Sequence, residues 1–475
     1  MSAARQAALA AAVAHFDSGE FLRDLARRVA IRTESQDPTS GPALKAYLAD
    51  EIGPTLAQLG FVTALYDNPE PAYGPFMIAT RHEADELPTV LIYGHGDVIR
   101  GQDKSWTRGQ GPWLLAQEGE RIYGRGTADN KGQHSINIAA LAQVLAQRSA
   151  QADGARLGFN VKFLIETGEE TGSPGLAAFC QAQREALRAD VLIASDGPRL
   201  RRDRPTMFLG TRGTLNFDLT LNLREGGHHS GNWGGLLRNP ATVLANAIAC
   251  LVDARGRILV DALRPPPMPG KIPANVRSAL QGLHFGGDPG DPEIDADWGE
   301  PDLTPTERVI AWNTLEVLAM RTGNPDFPVN AIPPTAKATM HMRFVVGTDV
   351  SDVPQRVREH LAAHGFGDIE VSDGIVMQAT RLDPDNPWVR FCLASMESST
   401  GQRPALLPNL GGSLPNDVFA ETLGLPTVWV PHSYPACQQH APDEHLLAPV
   451  VREALAVMTG IFWDLGEQAA TLPRR

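Results

Sequence analysis

The chain has 475 residues, too many for one hydrophobic core, so two or three domains are predicted. A hydrophobic fraction of 43% and a charged fraction of 20% exclude an intrinsically disordered protein. Its 42 Lys and Arg against 55 Asp and Glu leave a net charge of −13, which argues against a nucleic-acid binder and against a basic protein of membrane surfaces.

From the N-terminus, Ala7 to Ala14 is alanine-rich rather than leucine-rich, and a helical period continues through Phe16, Leu22, Leu25 and Val29. This reads as a first helix and not as a signal peptide. Near-continuous apolar runs at Thr89 to Tyr93, Val161 to Ile165, Val191 to Ala194 and Thr427 to Val430 predict strands buried on both faces. Helical stretches at Ser135 to Gln147 and Val450 to Trp463 alternate with them, which predicts an α/β sheet covered by helices on both faces. Ligands of such sheets collect at the carboxyl ends of the strands.

The middle of the chain has a different pattern. Leu215, Phe217, Leu219, Leu221 and Leu223 alternate with mostly polar residues, as do Ala338, Met340, Met342 and Phe344, so these strands bury one face only. Helices are predicted at Pro240 to Asp253 and Asp352 to Ala363, the second capped by Ser351 and stopped by Gly365. The segment Ala262 to Pro305, including Pro265 to Pro267, is predicted to be a long irregular excursion. The organisation that follows is a catalytic domain in two parts, 1–212 and 379–475, with a smaller α+β lid or dimerisation domain, 213–378, inserted between them. No run of about 20 apolar residues is present, so no membrane span is predicted. Cys180, Cys250, Cys392 and Cys437 stand singly, which points to reduced thiols in a cytoplasmic protein.

Chemistry-bearing residues fall just after the apolar strands. His95-Gly96-Asp97 follows the first, Glu166-Thr167-Gly168-Glu169-Glu170 the second and Ser195-Asp196-Gly197 the third. A glycine-rich turn brings Asp129 to the start of the next helix, and His440 stands after the last strand, with His445 close behind it. Taken singly, a His-x-Asp pair is an ordinary hydrogen-bonded couple and a strand-end acid is an ordinary turn or cap. Their convergence on one sheet edge predicts a metal site. Nitrogen and carboxylate donors without thiolate suit zinc, manganese or cobalt, and two ions about 3.5 to 4 Å apart need a shared ligand, for which Asp129 is placed. One of Glu169 and Glu170 can then serve as ligand and the other as general base. Asp97 is placed to fix the tautomer of His95.

These motifs, together with Gly126 to Asn130 and Gly168 to Gly175, resemble those of the dinuclear zinc peptidases of clan MH, in particular the carnosinases, cytosolic nonspecific dipeptidases and glutamate carboxypeptidase. The resemblance runs over nearly the whole chain. It implies that His95, Asp129 and Asp196 hold one metal, that Asp129, Glu170 and His440 hold the other, and that Glu169 is the base. It further implies a cis peptide between Asp129 and Asn130. His229 of His228-His229-Ser230-Gly231 corresponds to a histidine that reaches a partner subunit's site and stabilises an oxyanion, which implies a homodimer formed through the inserted domain. Asn330 and Arg343 correspond to residues that grip a substrate carboxylate, and Gly412 and Ser413 belong to a glycine-rich substrate loop. Gly96 and the segment Tyr434 to Gln439 depart from the family pattern; the glycine is expected to loosen the strand end.

The expected activity is hydrolysis of an amide bond in a small carboxylate-bearing substrate, a dipeptide, with two divalent ions, zinc first. An N-acyl or N-carbamoyl amino-acid amidohydrolase is the alternative. A non-catalytic binding protein is disfavoured because every proposed ligand and Glu169 are present. Serine hydrolase chemistry lacks its Gly-x-Ser-x-Gly turn.

Overall fold

In the computed structural model, the residues described are 2–150, 154–265, 272–287, 289, 291–374 and 376–474. Pro266 and Pro267, part of the predicted excursion, lie outside them.

The larger sheet has eight strands in the order Val62–Tyr66, Phe76–Arg81, Asn160–Glu166, Thr89–His95, Val191–Ala194, Thr427–Trp429, Thr206–Phe208, Ala405–Leu407. Its central strands, from Asn160–Glu166 to Thr427–Trp429, run parallel. The unbroken apolar runs are explained by the two cores that these strands separate. Val90, Ile92, Val161, Phe163, Val191, Ile193 and Val428 face helices Ala3–Asp17, Lys131–Ser149, Pro387–Thr400 and Ala448–Gln468. Leu91, Tyr93, Leu164, Leu192 and Trp429 point the other way, toward Leu176–Ala182 and neighbouring turns.

The second sheet has five antiparallel strands. Gly213–Asn222 lies at its centre beside Thr335–Phe344, and Thr314–Arg321 forms one edge. Leu215, Phe217, Leu219, Leu221, Ala338, Met340, Met342 and Phe344 pack on helices Pro240–Leu251 and Val353–Ala363 in a core of their own. Leu223 is partly buried just beyond its strand. The observed architecture is therefore an α/β sheet covered on both faces with a smaller α+β unit inserted.

Four local expectations need correction. The N-terminal helix is two, Ala3–Asp17 and Glu20–Ala30, broken where Gly19 takes φ +78°, a conformation that glycine adopts without strain. The helix predicted to reach Asp253 ends at Leu251. Ser351 does not cap the helix at 353: its hydroxyl donates instead to Asp349 Oδ1 at 2.6 Å, and Asp352 holds the cap position. The excursion contains helix Ala274–Leu280 and ends at the first residue of helix Pro305–Ile310, and its Ile272, Val276, Leu280 and Leu283 join the core of the large sheet. Prolines at its helix starts and glycines in its turns hid an apolar period too short to read from sequence.

Candidate active site

His95 ends strand Thr89–His95 and faces Glu166 across the parallel ladder. Asp196 follows the adjacent strand Val191–Ala194, and Glu169 and Glu170 open a single 3-10 turn after Glu166. The Asp129–Asn130 peptide is cis. Sheet order thus carries three strand ends to one edge, where the loop bearing Asp129 and the late segment bearing His440 meet them.

Asp129 is the shared residue. Its Oδ1 lies 2.9 Å from His95 Nε2, and its Oδ2 lies 3.1 Å from His440 Nε2. Asp196 Oδ2 stands 3.6 Å from His95 Nε2, and Glu170 Oε2 stands 3.0 Å from His440 Nε2. Donor atoms of His95, Asp129 and Asp196 lie within 4.8 Å of one another, and so do those of Asp129, Glu170 and His440. Glu169 Oε2 is 4.0 Å from His95 Nε2.

Asp97 orients both halves of the site. Its Oδ1 is 3.4 Å from His95 Nδ1, with its carbonyl nearer at 3.1 Å, so the Nε2 lone pair is turned toward Asp129. The same carboxylate accepts the backbone N–H of Glu169 at 3.2 Å and of Glu170 at 3.1 Å, fixing the turn that presents both glutamates. Gly96 does not loosen this strand end. A Cβ there would stand 2.5 Å from the buried Tyr47 ring, and its carbonyl accepts the Thr33 hydroxyl at 2.7 Å. Glycine is what allows Tyr47 to pack against the backbone between His95 and Asp97.

The electrostatics call for cations. Burial, reinforced by Asp129, pushes Asp196 up to about 6 and Glu170 up to about 7, and burial holds Glu169 well above the usual carboxylate range. Hydrogen bonds to Asp129 and Glu170 carry His440 up to about 11. Asp196 Oδ2 is buried without a hydrogen-bond partner among the described residues. A dense set of carboxylate and imidazole donors with an orphaned oxygen and no thiolate fits divalent zinc, manganese or cobalt.

Sequence reasoning missed Glu444, Arg125 and Gln439. Glu444 is buried and its carboxylate accepts the backbone N–H of Gly126 at 3.0 Å, Ala128 at 2.9 Å and Asp129 at 3.1 Å, while Arg125 Nη1 donates to it at 2.7 Å. Gln439 Nε2 donates to Asp129 Oδ2 at 2.8 Å. The only available signal was an acid four positions after His440. Its partners lie some 315 residues away.

His440 rather than His445 reaches the cluster. Both nitrogens of His445 are engaged, Nε2 with the Tyr434 hydroxyl at 2.6 Å and Nδ1 with the Asp443 carbonyl at 2.8 Å. Burial pushes the Cys437 thiol up to about 12, so no thiolate pairs with His440.

The remaining predicted residues fall into two groups. Arg343, on the outer face of strand Thr335–Phe344, donates from Nη1 to Ser413 Oγ at 3.0 Å, and Ser413 donates to the Arg212 carbonyl at 2.6 Å. Gly412 lies in the same half-buried loop, whose Gly411 carbonyl accepts Arg212 Nε at 2.8 Å. His229 pairs with Ala331 in a two-stranded ribbon, where Ser230 N–H donates to the Asn330 carbonyl at 2.9 Å, so His229 and Asn330 are neighbours. His229 and Asn330 are exposed, and among the described residues no hydrogen bond or ion pair joins them, Arg343 or Ser413 to the carboxylate–histidine cluster.

A helix-covered sheet with candidate metal donors at its strand ends and an inserted antiparallel domain defines the metal-dependent hydrolase class. Residues 91–464 match the model of peptidase family M20/M25/M40. The chain belongs to that family and is a metallopeptidase. It is 27% identical over 349 residues to the cysteinylglycine-S-conjugate dipeptidase of Corynebacterium striatum, covering 71% of this chain and 72% of the relative. It is 31% identical over 259 residues to the mouse Beta-Ala-His dipeptidase, an alignment that spans 51% of this chain and 50% of that protein. Human carnosine dipeptidase 1 shares the fold with a TM-score of 0.79 at 22% identity, covering 98% of this chain and 99% of that one.

Proposed function

We propose that this enzyme is a dinuclear metallodipeptidase that hydrolyses the amide bond of a small peptide with a free carboxylate. The observation that carries the reading is Asp129, whose two oxygens face His95 on one side and His440 on the other. His95, Asp129 and Asp196 would hold one ion, and Asp129, Glu170 and His440 the second, with zinc first and manganese or cobalt as substitutes. When bound, such ions would lower the pKa of a water at the site toward about 7 and polarise a substrate carbonyl.

The chain's own residues supply the rest. Glu169 takes the proton of the attacking water and hands it to the leaving amine. Asp97 holds the backbone of Glu169 and the ring of His95 in register. Arg343, steadied by Ser413, and Asn330 with Gly412 grip the substrate carboxylate, a task suited to the planar guanidinium. His229 meets the developing oxyanion from a second copy of the chain.

The same reading takes 1–212 with 379–475 as the catalytic domain and 213–378 as the inserted one, supported by the strands that build each sheet, although helix Ala274–Leu280 within 213–378 packs on the core of the large sheet. Pairing of two inserted domains is supported by the open edge strand Thr314–Arg321, where Leu318 is 59% and Met320 45% exposed. A cytoplasmic location is supported by four unpaired cysteines, and no described helix is long and apolar enough to cross a membrane.

The test is a panel of dipeptides set against N-acetyl, N-succinyl and N-carbamoyl amino acids, run on metal-stripped and zinc-reloaded protein. Dipeptide cleavage that is lost on stripping and regained on reloading is expected. Turnover of the acyl or carbamoyl compounds with dipeptides left intact would overturn the reading.

A further inference from the structure

A second cluster of metal donors lies in the inserted domain, away from the carboxylate–histidine site in sequence and in core. The Cys250 Sγ and one ring nitrogen each of His360 and His364 lie within 4.8 Å of one another. Cys250 is in the last turn of helix Pro240–Leu251, His360 is in the last turn of helix Val353–Ala363, and His364 is the residue that follows it. The two helices share one core through Leu244, Ala247, Leu251, Val357 and Leu361, so the donors are carried on packed elements rather than on loose loops.

Both imidazoles are oriented by main-chain carbonyls. His360 Nε2 lies 2.8 Å from the Cys250 carbonyl, and His364 Nδ1 lies 2.8 Å from the His360 carbonyl. A carbonyl only accepts, so these two nitrogens donate, and in the neutral ring His360 Nδ1 and His364 Nε2 are the nitrogens without a proton. The rings stack with centroids 4.2 Å apart. Donation of one ring N–H to a carbonyl is the arrangement that prepares the opposite nitrogen for a metal. The C-terminal ends of both helices meet here, and their partial negative charge favours a cation. Cys250 is half-buried and its thiol donates to the Ala247 carbonyl at 3.0 Å, a proton that metal binding would release to solvent.

We propose that Cys250, His360 and His364 bind one soft divalent ion, zinc first, which clamps helix Pro240–Leu251 to helix Val353–Ala363. A thiolate with two imidazoles and no carboxylate selects zinc over magnesium or manganese, unlike the oxygen-rich cluster of the active site.

That difference in donors makes the site separately observable. The metal-stripped full-length protein is titrated with Co2+ and followed by thiolate-to-cobalt charge-transfer absorption, which the thiol-free ligand set proposed for the active site does not produce. Wild type is expected to show the band, Cys250→Ser to lack it, and His364→Gln, at an exposed position that leaves folding intact, to need at least about tenfold more cobalt. After zinc loading, Cys250→Ser should carry one zinc fewer per chain than wild type, and His364→Gln should lose that zinc to a lower chelator concentration, while peptidase turnover of both is unchanged. Absence of the band in wild type, its persistence in Cys250→Ser, or equal zinc content in wild type and Cys250→Ser would overturn the assignment.

Discussion

Glu444 holds Asp129 by its backbone. The buried Glu444 carboxylate accepts the Asp129 N–H at 3.1 Å and that of Ala128 at 2.9 Å, while Arg125, equally buried, balances its charge at 2.7 Å. The residue that joins the two donor clusters is therefore fixed by an acid that contributes no ligand itself.

Glu444→Ala leaves the Arg125 guanidinium and three backbone donors without their acceptor in a dry environment. A stability loss of about 3–5 kcal/mol is expected, together with weakened metal retention, because the Asp129 loop is no longer held. Urea unfolding and metal analysis on the same preparation check this. Unchanged values in both would mean that the loop holds its shape without the acid.

Glu169→Gln keeps the size and the backbone bond to Asp97 but removes the basic oxygen. Turnover should fall by about 10²- to 10⁴-fold with metal content unaltered. Retention of more than about a hundredth of wild-type activity would assign the proton transfer elsewhere.

Arg343 is half-buried, and burial lowers its pKa from the ordinary arginine value, so its charge is held in a poorly solvated place. Arg343→Lys loses the fork and the bond to Ser413. KM for carboxylate-bearing dipeptides is expected to rise about 10- to 100-fold with kcat changed far less, equivalent to about 1.5–3 kcal/mol of binding. Steady-state kinetics on a dipeptide and its C-terminal amide separate the two effects, because the amide should respond weakly to the substitution.

Glu166 sets a pH dependence that a single substitution isolates. Its Oε1 accepts the Tyr93 hydroxyl at 2.7 Å and Ser173 Oγ at 2.9 Å, Oε2 is without a partner among the described residues, and burial pushes the group up to about 7 from 4.5. Because the folded pKa is raised, the folded protein binds this proton more tightly than the unfolded chain. Stability from this group is fully present below about 4.5 and is lost as pH rises through about 7. The neutral Glu166→Gln variant does not suffer that loss. In metal-stripped protein, the melting temperature of the variant relative to wild type should rise between pH 5 and pH 8, by the equivalent of about 3 kcal/mol at the upper end. A difference that stays flat with pH would show that the carboxyl ionises freely in the fold.

Much of the site was legible because its residues follow the ends of recognisable strands. His95, Asp196, Glu169 and Glu170 each come directly after an apolar run whose two-sided burial is visible in sequence, and the parallel sheet aligns those ends. The local period also marked the inserted domain, since Leu215 to Leu221 alternate in a way that only a one-sided sheet requires. The break at Gly19, the cap at Asp352 and the helix at Ala274–Leu280 were not legible, because each depends on one or two residues whose conformation is settled by what packs against them.

Sequence by itself determined which side chains are available and which lie at strand ends, because side-chain chemistry and apolar periodicity are local properties. Only the tertiary structure decided that Gly96 makes room for Tyr47, that Arg343 meets Ser413 and that Glu444 supports Asp129. Those relationships join residues tens to hundreds of positions apart, and their strength comes from burial and hydrogen-bond geometry that exist only once the chain has folded.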